Sequence, residues 1–322
     1  MTSFLDRALD AAVVPGFSRI GFAIRSRIGH WNDVSLMPMQ GKTVVITGPT
    51  SGLGAETSRI LVRAGAHLVL VGRNPNKCDA MASELRAMQV GSDVDVVCAE
   101  MGDFESVASA SREIAGRFPR IDVLIHNAGA LLNEREVSPQ GIEQTIASHV
   151  VGPHLMTTVL RDALRAAHGR VVTVSSGGMY AAPLPQLQTG ESLEMNNYDG
   201  TKQYAIAKRA QVTLNSMWAK HEPDIEFAAM HPGWADTPGV QESIPLFRTV
   251  TRPILRTVSQ GADTIAWLAA VDPLPRESGL FWCDRSVRGI HKVPSTRNSD
   301  NQSARDALWD WCNEMIAPFL TA

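Results

Sequence analysis

Two alternating patterns of hydrophobic and polar residues run along most of the chain. Short apolar runs, which are typical of buried parallel strands, lie at residues 43–47, 67–71, 94–98, 123–125, 170–174, 226–230 and 280–283. Apolar residues at helical spacing fill the gaps, at residues 52–64, 76–88, 104–117, 141–167, 201–220 and 259–270. Strands joined by helical crossovers predict a parallel sheet with helices on both faces. We therefore expect an α/β fold with one doubly wound parallel sheet of about seven strands.

A glycine-rich stretch, residues 47–54, joins the first predicted strand to the first predicted helix. Glycine lets a backbone pass close to a diphosphate, and the N–H groups and dipole of a helix N-terminus attract negative charge. By itself the pattern fits either an ordinary tight turn or a cofactor-binding loop. A cofactor-binding loop here would use Gly48, Thr50, Ser51, Gly52, Leu53 and Gly54.

Composition narrows the classes of function. The chain has 322 residues, 44% of them hydrophobic, which is enough for the core of one large domain. A net charge of −3 and the lack of lysine and arginine blocks argue against a nucleic-acid partner. No histidine or cysteine shows ligand spacing, so we expect no metal and reduced thiols in the cytoplasm. No apolar run is long enough to span a bilayer, and no signal-peptide pattern is evident.

Three further motifs follow predicted strands or open a predicted helix. They are His126-Asn127-Ala128-Gly129, Ser175-Ser176, and Tyr204-Ala205-Ile206-Ala207-Lys208. With residues 47–54 they resemble, in order and spacing, the fingerprints of the short-chain dehydrogenase/reductase family, over residues 41 to 283. The resemblance implies a single-domain Rossmann-type fold, oligomers built by helix pairing, and a cofactor site that includes Asn127, Ala128 and Gly129.

The resemblance also implies catalytic roles. Tyr204 would act as the acid/base, and Ser176 would hydrogen-bond the substrate oxygen. A tyrosine pKa of about 10 is too high for acid/base work at neutral pH, so a nearby positive charge is needed. Lys208, one helical turn after Tyr204, would lower that pKa and hold the nicotinamide ribose hydroxyls.

A second match to the tyrosine–lysine motif is Tyr198-Asp199-Gly200-Thr201-Lys202. Asp199 and Gly200 are typical of a turn or of a helix start, which would break the helix that aligns the two side chains. Helix-favouring alanines surround Tyr204 instead. We therefore assign the acid/base role to Tyr204 and keep Tyr198 as the alternative.

The end of the second predicted strand bears on the choice of cofactor. NAD sites place an acid there for the ribose 2′-hydroxyl, whereas this strand runs into Gly72-Arg73-Asn74. Arg73 either binds the 2′-phosphate of NADP(H), which we favour, or is a solvated loop residue. Glu100 and Met101 stand where relatives carry an acid–hydrophobic pair beside the adenine.

His149 departs from the family pattern, which places an asparagine at this position of the helix to order a water in the proton relay. Histidine either holds that water through its two nitrogens or breaks the relay. If it holds the water, protonation near pH 6.5 is expected to lower activity. A broken relay would leave a protein that binds NADP(H) without turnover.

The string HPGWADTPGV (231–240) extends the match. It is similar to the member-twelve group of the family, whose substrate the resemblance does not identify. In the family this region turns over the nicotinamide, so Pro232, Gly233, Trp234 and Thr237 are expected to contact the cofactor.

Three segments are expected along the chain: an amphipathic extension (1–40), the catalytic domain (41–290) and a helical tail packed on it (291–322). The extension carries an apolar stripe at helical spacing, made of Phe17, Ile20, Ile24, Ile28 and Trp31. A second apolar and basic segment, residues 245–256, lies where relatives carry a substrate lid. Both segments either pack on the domain or face a membrane surface. Together these features predict an NADP(H)-dependent oxidoreductase that interconverts a carbonyl and an alcohol on a lipophilic substrate.

Overall fold

The computed structural model describes residues 4–243 and 245–320. Within them, eight strands form one sheet in the order β3-β2-β1-β4-β5-β6-β7-β8. The strands are β1 (Thr43–Thr47), β2 (His67–Gly72), β3 (Val94–Cys98), β4 (Val123–His126), β5 (Arg170–Val174), β6 (Glu226–Met230), β7 (Leu280–Cys283) and β8 (Ser286–Val287). The first seven are parallel and coincide with the predicted strands to within a residue, so the predicted fold class is confirmed.

The eighth strand was not predicted. It pairs antiparallel with β7 across a turn in which Asp284 and Arg285 have φ values of 54° and 50°. Two adjacent left-handed residues make a tight hairpin turn, usually with asparagine or glycine, so this sequence carries no hairpin signal.

Helices lie on both faces of the sheet, and the predicted ones are found to within a few residues at their ends. They are α1 (Phe4–Ala11), α2 (Val13–Phe17), α3 (Arg19–Ile28), α4 (Gly52–Arg63), α5 (Pro75–Met88), α6 (Phe104–Arg117), α7 (Gln144–Ile146), α8 (Gly152–Ala167), α9 (Gly200–His221), α10 (Pro238–Ser243), α11 (Pro245–Thr251), α12 (Val258–Ala270), α13 (Pro294–Ser299) and α14 (Gln302–Ile316). A π-helical segment, Ala147–Val151, separates α7 from α8, where a single helix was expected.

Side chains along the central strands alternate between the two faces of the sheet, so the core has two layers. In β1, Val45 faces a cluster built on α6, α8, α9 and α14, whereas Val44 and Ile46 face a cluster built on α4, α5 and α12. The strand order reverses between β1 and β4, which opens a crevice at the carboxyl ends of these strands. The glycine-rich turn, the Asn-Ala-Gly loop and Ser176 all follow strands at that edge.

A buried ion cluster attaches the N-terminal helices to the domain. Arg25 lies 2.7 Å from Asp6 and 2.6 Å from Asp284, and Asp284 also pairs with Arg256 at 2.6 Å. Arg288 pairs with Asp6 at 2.8 Å. Of the predicted stripe, Phe17 is buried against the domain, Ile24 and Trp31 are half-buried, and Ile20 and Ile28 are exposed.

The C-terminal helix α14 packs against α9 through Leu308, Cys312 and Ile316. All four cysteines are free, and Cys98 alone among them is exposed. Within the described residues, no three potential ligands lie close enough to hold a metal ion. No helix in the same part of the chain has the length and apolar character needed to cross a membrane.

Candidate active site

The backbone of the glycine-rich turn follows a path that side chains would not permit. Gly48 and Gly52 have φ values of 65° and 51°, which favour glycine. A Cβ on Gly54 would lie 2.1 Å from the Gly48 carbonyl oxygen, so the turn closes too tightly for any side chain there. Ser51, the N-cap of α4, makes no side-chain cap hydrogen bond. The first turn of α4 therefore presents N–H groups that no capping side chain occupies, as an anion site requires.

The Asn-Ala-Gly loop is locked onto this turn. Asn127 donates its side-chain amide to the carbonyls of Thr47 and Gly48, each at 3.0 Å. In return, the Thr47 hydroxyl accepts from the backbone N–H groups of Asn127 and Ala128, each at 3.0 Å. Two loops that are about 80 residues apart in the chain thus form one rigid wall of the crevice.

Ser176, Tyr204 and Lys208 meet at the same edge. The Ser176 side chain acts to lower the pKa of Tyr204, and the Ser176 hydroxyl accepts from the Gly178 N–H at 3.2 Å. Lys208 Nζ lies 5.2 Å from the centre of the Tyr204 ring and donates to the Val174 carbonyl at 2.9 Å. Ser175 instead donates to the Lys208 carbonyl at 3.0 Å and is buried, so it holds α9 rather than facing Tyr204.

Burial dominates the electrostatics of this group. It raises the pKa of Tyr204 to about 12 against the opposing hydrogen bond from Ser176, and it lowers the pKa of Lys208 to about 7. Burial therefore outweighs the lowering of the Tyr204 pKa that was expected from Lys208.

Tyr198 and Lys202, the alternative pair, do not lie on one helix, as the chemistry would require. Asp199 caps α9, with its carboxylate accepting from the N–H groups of Thr201 and Lys202 at 3.1 Å. Tyr198 precedes the helix, and its hydroxyl donates to the Leu132 carbonyl at 3.2 Å. The Lys202 side chain is 70% exposed and pairs with Asp199, so Tyr198 and Lys202 do not form a buried pair.

His149 lies in the π-helical segment, fully buried. Its Nε2 accepts the Ala130 N–H at 3.0 Å, and a Cβ on Gly129 would lie 2.8 Å from the imidazole. Burial, together with the charge of Lys208, holds the pKa of His149 well below its usual value. This direction is opposite to what the expected protonation near pH 6.5 needs. π-helical turns are frequent at functional sites.

Sequence reasoning missed two residues that fix the loop after β6. His231 Nδ1 accepts the N–H groups of Gly177 and Gly233, both at 3.2 Å, which ties the serine loop to Pro232-Gly233. Arg256 donates to the Pro232 carbonyl at 3.1 Å, and its guanidinium lies where a Cβ on Gly233 would be. Gly233 has a φ value of 77°. The Pro-Gly pair gave a signal for the turn, whereas nothing in the sequence linked it to Gly177 or Arg256.

The remaining predicted cofactor residues occupy different environments. Thr237 lies over the start of α4, since a Cβ on Gly52 would be 3.5 Å from its Cβ. Trp234 packs edge-on against Phe17. The Arg73 side chain is 78% exposed and lies 3.5 Å from Glu100, so Glu100 pairs with Arg73 in this structure. Met101 is buried in the core between the sheet and α6–α8.

Comparison with known proteins agrees with this geometry. Residues 42–245 match the short chain dehydrogenase family. The chain is 34% identical over 306 residues to dehydrogenase/reductase SDR family member 12 from Bos taurus, which covers 94% of this chain and 95% of the relative. It is 29% identical over 289 residues to bovine retinol dehydrogenase 12, covering 88% of each.

Among solved structures, an alcohol dehydrogenase from Thermococcus sibiricus complexed with 5-hydroxy-NADP superimposes with a TM-score of 0.59 at 24% identity, over 75% of this chain and 95% of that one. At this identity the likeness shows the fold alone. The family match and the bovine relative, taken with the motifs at the strand ends, place the chain in the short-chain dehydrogenase/reductase family, whose members are oxidoreductases that act on alcohols or carbonyls with a nicotinamide cofactor.

Proposed function

We propose that the protein is an NADP(H)-dependent oxidoreductase that interconverts a carbonyl and an alcohol on a lipophilic substrate. The observation that carries the proposal is the meeting of Ser176, Tyr204 and Lys208 beside a glycine-rich turn and an uncapped helix start. Gly48, Gly52 and Gly54 allow the tight turn that a diphosphate site needs, because a side chain on Gly54 would collide with the Gly48 carbonyl and open the turn. Thr237, above the start of α4, closes the other side of this site.

Each residue then has a separate task. When bound, the nicotinamide would supply a hydride to the carbon that is reduced, or accept one from the carbon that is oxidised. Tyr204 donates its proton to the carbonyl oxygen in the reductive direction and receives it back in the oxidative direction. Ser176 donates a hydrogen bond to the same oxygen, where charge develops. Lys208, buried beside the tyrosine ring, holds the ribose hydroxyls, and Pro232 to Trp234 cover the ring.

The specificity for NADP(H) is assigned to Arg73. No carboxylate ends β2, and the pair between Arg73 and Glu100 is exposed and long, so it costs little to break. A 2′-phosphate would offer Arg73 a charge-assisted contact in its place.

We expect NADPH to bind more tightly than NADH and Arg73→Ala to remove most of the difference. One charge-assisted contact contributes about 1.5–3 kcal/mol, which is at least about tenfold in affinity. Titrations of both cofactors followed by intrinsic fluorescence measure the two dissociation constants. Arg276→Ala, an exposed arginine in the loop after α12, is the matched control. Equal dissociation constants in the wild-type protein would contradict the assignment.

His149 is proposed to position the Asn-Ala-Gly loop rather than to carry the proton. His149→Asn should keep turnover, with a pH profile between about 5.5 and 8 like that of the wild type, because a pKa well below its usual value leaves nothing to titrate there. His149→Ala removes the acceptor of the Ala130 N–H, a part-buried hydrogen bond, which costs about 0.5–1.5 kcal/mol of unfolding free energy. Rates and melting temperatures of the three proteins across this pH range check both statements. A steeper acid loss in the wild type than in His149→Asn would contradict the positioning role.

A second candidate function is binding of NADP(H) without turnover. It is favoured by the raised pKa of Tyr204 and by the occupied Nε2 of His149. A screen of ketones, retinoids and steroids for NADPH consumption separates the two candidates. Turnover of any of them, lost in Tyr204→Phe, supports the enzyme.

Lipophilic substrates are proposed because the segment in the position of the family's lid is apolar. Leu246 and Val250 on α11 are 78% and 73% exposed, next to Arg252. The bovine relative named retinol dehydrogenase is in line with this substrate class.

Four free cysteines favour a reducing compartment such as the cytoplasm. A homo-oligomer formed by helix pairing would follow the pattern common in the family.

A further inference from the structure

The helix α3 buries an arginine and exposes two of its isoleucines. At 100° per residue, Ile20, Ile24 and Ile28 lie on one side; Ile20 and Ile28 are 48% and 47% exposed, and Ile24 is half-buried. Gly21 and Arg25, on the adjoining side, are both buried. Arg25 is held there by Asp6 and Asp284. The ion cluster thus fixes the helix with Ile20 and Ile28 open to solvent.

The exposed charges on α3 are of one sign. Arg19 and Arg27 are exposed on the same helix as the isoleucines, and Arg7 is exposed on α1. Within residues 4–243 and 245–320, these three arginines have no carboxylate at ion-pair distance, whereas the two acids of α1 are both paired, Asp6 with Arg25 and Arg288 and Asp10 with Lys292. Val13 and Val14 on α2 add further apolar surface, 40% and 53% exposed. We name Arg19, Ile20, Ile24, Arg27 and Ile28 the outer face of α3.

We infer that the outer face of α3 docks the protein on a lipid surface that bears anionic headgroups. Isoleucines that stand among unpaired arginines match the boundary between acyl chains and headgroups, where apolar burial and charge attraction act together. A second copy of the chain fits poorly, because a two-fold contact through this face would set arginines against arginines.

Contacts of Arg256 link α3 to the segment proposed as the substrate lid. Arg256 Nε donates to the Ser18 carbonyl, which precedes α3, at 3.3 Å, and its guanidinium lies 5.5 Å from the Phe22 ring. The lid helix α11 ends five residues before Arg256. A docked protein would therefore hold its lid near the bilayer, where lipophilic carbonyls and alcohols dissolve. Docking itself does not depend on turnover.

The test is co-sedimentation of the full chain with vesicles of phosphatidylcholine containing roughly a third phosphatidylserine. The wild type should bind these vesicles more strongly than vesicles of phosphatidylcholine alone, and added salt should weaken binding. Arg19→Gln with Arg27→Gln should lower the affinity by about 25-fold, at about fivefold per arginine. Ile20→Ser with Ile28→Ser should lower it at least about tenfold.

Matched controls alter similar residues elsewhere. Arg276→Gln with Arg297→Gln removes two exposed arginines, and Val90→Ser with Val293→Ser removes two exposed apolar side chains. Both should bind vesicles as the wild type does. Melting temperature and turnover of a water-soluble carbonyl should stay unchanged in every variant, which separates docking from folding and from the reaction.

Three results would overturn the inference. One is a wild-type protein that does not sediment with anionic vesicles. Another is equal vesicle binding by Ile20→Ser with Ile28→Ser and by its control, Val90→Ser with Val293→Ser. The third is a wild-type dimer in sedimentation velocity that Ile20→Ser with Ile28→Ser turns into a monomer, since the face would then bind a second copy.

Discussion

Tyr204→Phe is expected to lower kcat by about 10²- to 10⁴-fold while leaving the dissociation constant of NADPH nearly unchanged. The substitution removes only the hydroxyl that would transfer the proton. The ring stays in its place on α9, with Lys208 5.2 Å from its centre. Steady-state kinetics with an active carbonyl from the substrate screen, alongside cofactor titration, measures the two quantities.

Tyr198→Phe is the matched control, because it removes a hydroxyl from the competing motif. That hydroxyl bonds only the Leu132 carbonyl and Glu143 among the described partners, outside the helix that carries Lys208. We expect little change in kcat. A dead Tyr198→Phe with an active Tyr204→Phe would show that the catalytic tyrosine has been misassigned.

Lys208→Met is expected to abolish most turnover and weaken cofactor binding, and also to change how stability depends on pH. Burial lowers the pKa of Lys208 to about 7, whereas the unfolded chain keeps a lysine pKa of about 10.4. Between these values the unfolded chain holds a proton that the folded chain has released. The unfolding free energy of the wild type therefore rises with pH across this window, and below about pH 7 the full destabilisation is present.

Methionine carries no such proton. The melting temperature of Lys208→Met, taken relative to the wild type, should accordingly be higher at about pH 6 than at about pH 9.5. Loss of the hydrogen bond to the Val174 carbonyl shifts both values alike, so it does not affect the comparison. Lys202→Met, at a side chain that is 70% exposed, should show no such pH dependence. A pH-independent difference for Lys208→Met would show that the lysine keeps its ordinary pKa in the fold.

Local patterns in the sequence determine much of this protein. Apolar runs and helical spacing predicted seven strands to within a residue, because each element buries a side that its own residues define. Asp199 and Gly200 predicted the start of α9, since capping is settled within one turn. The motifs lie together for a topological reason as well: parallel strands carry the loops at their carboxyl ends to one edge.

The tertiary structure alone decided how those residues are used. His149 stood in a helical pattern, but its neutrality and its bond to Ala130 come from burial and from a loop 19 residues away. Arg256 reaches the carbonyl of Ser18 across 238 residues of chain, a contact that no local pattern encodes. The apolar stripe from Phe17 to Trp31 led to the expectation of an amphipathic segment, of which Arg19–Ile28 forms α3. Which side faces the domain was set by Arg25, because a buried arginine must meet its carboxylates, Asp6 and Asp284, wherever the fold places them.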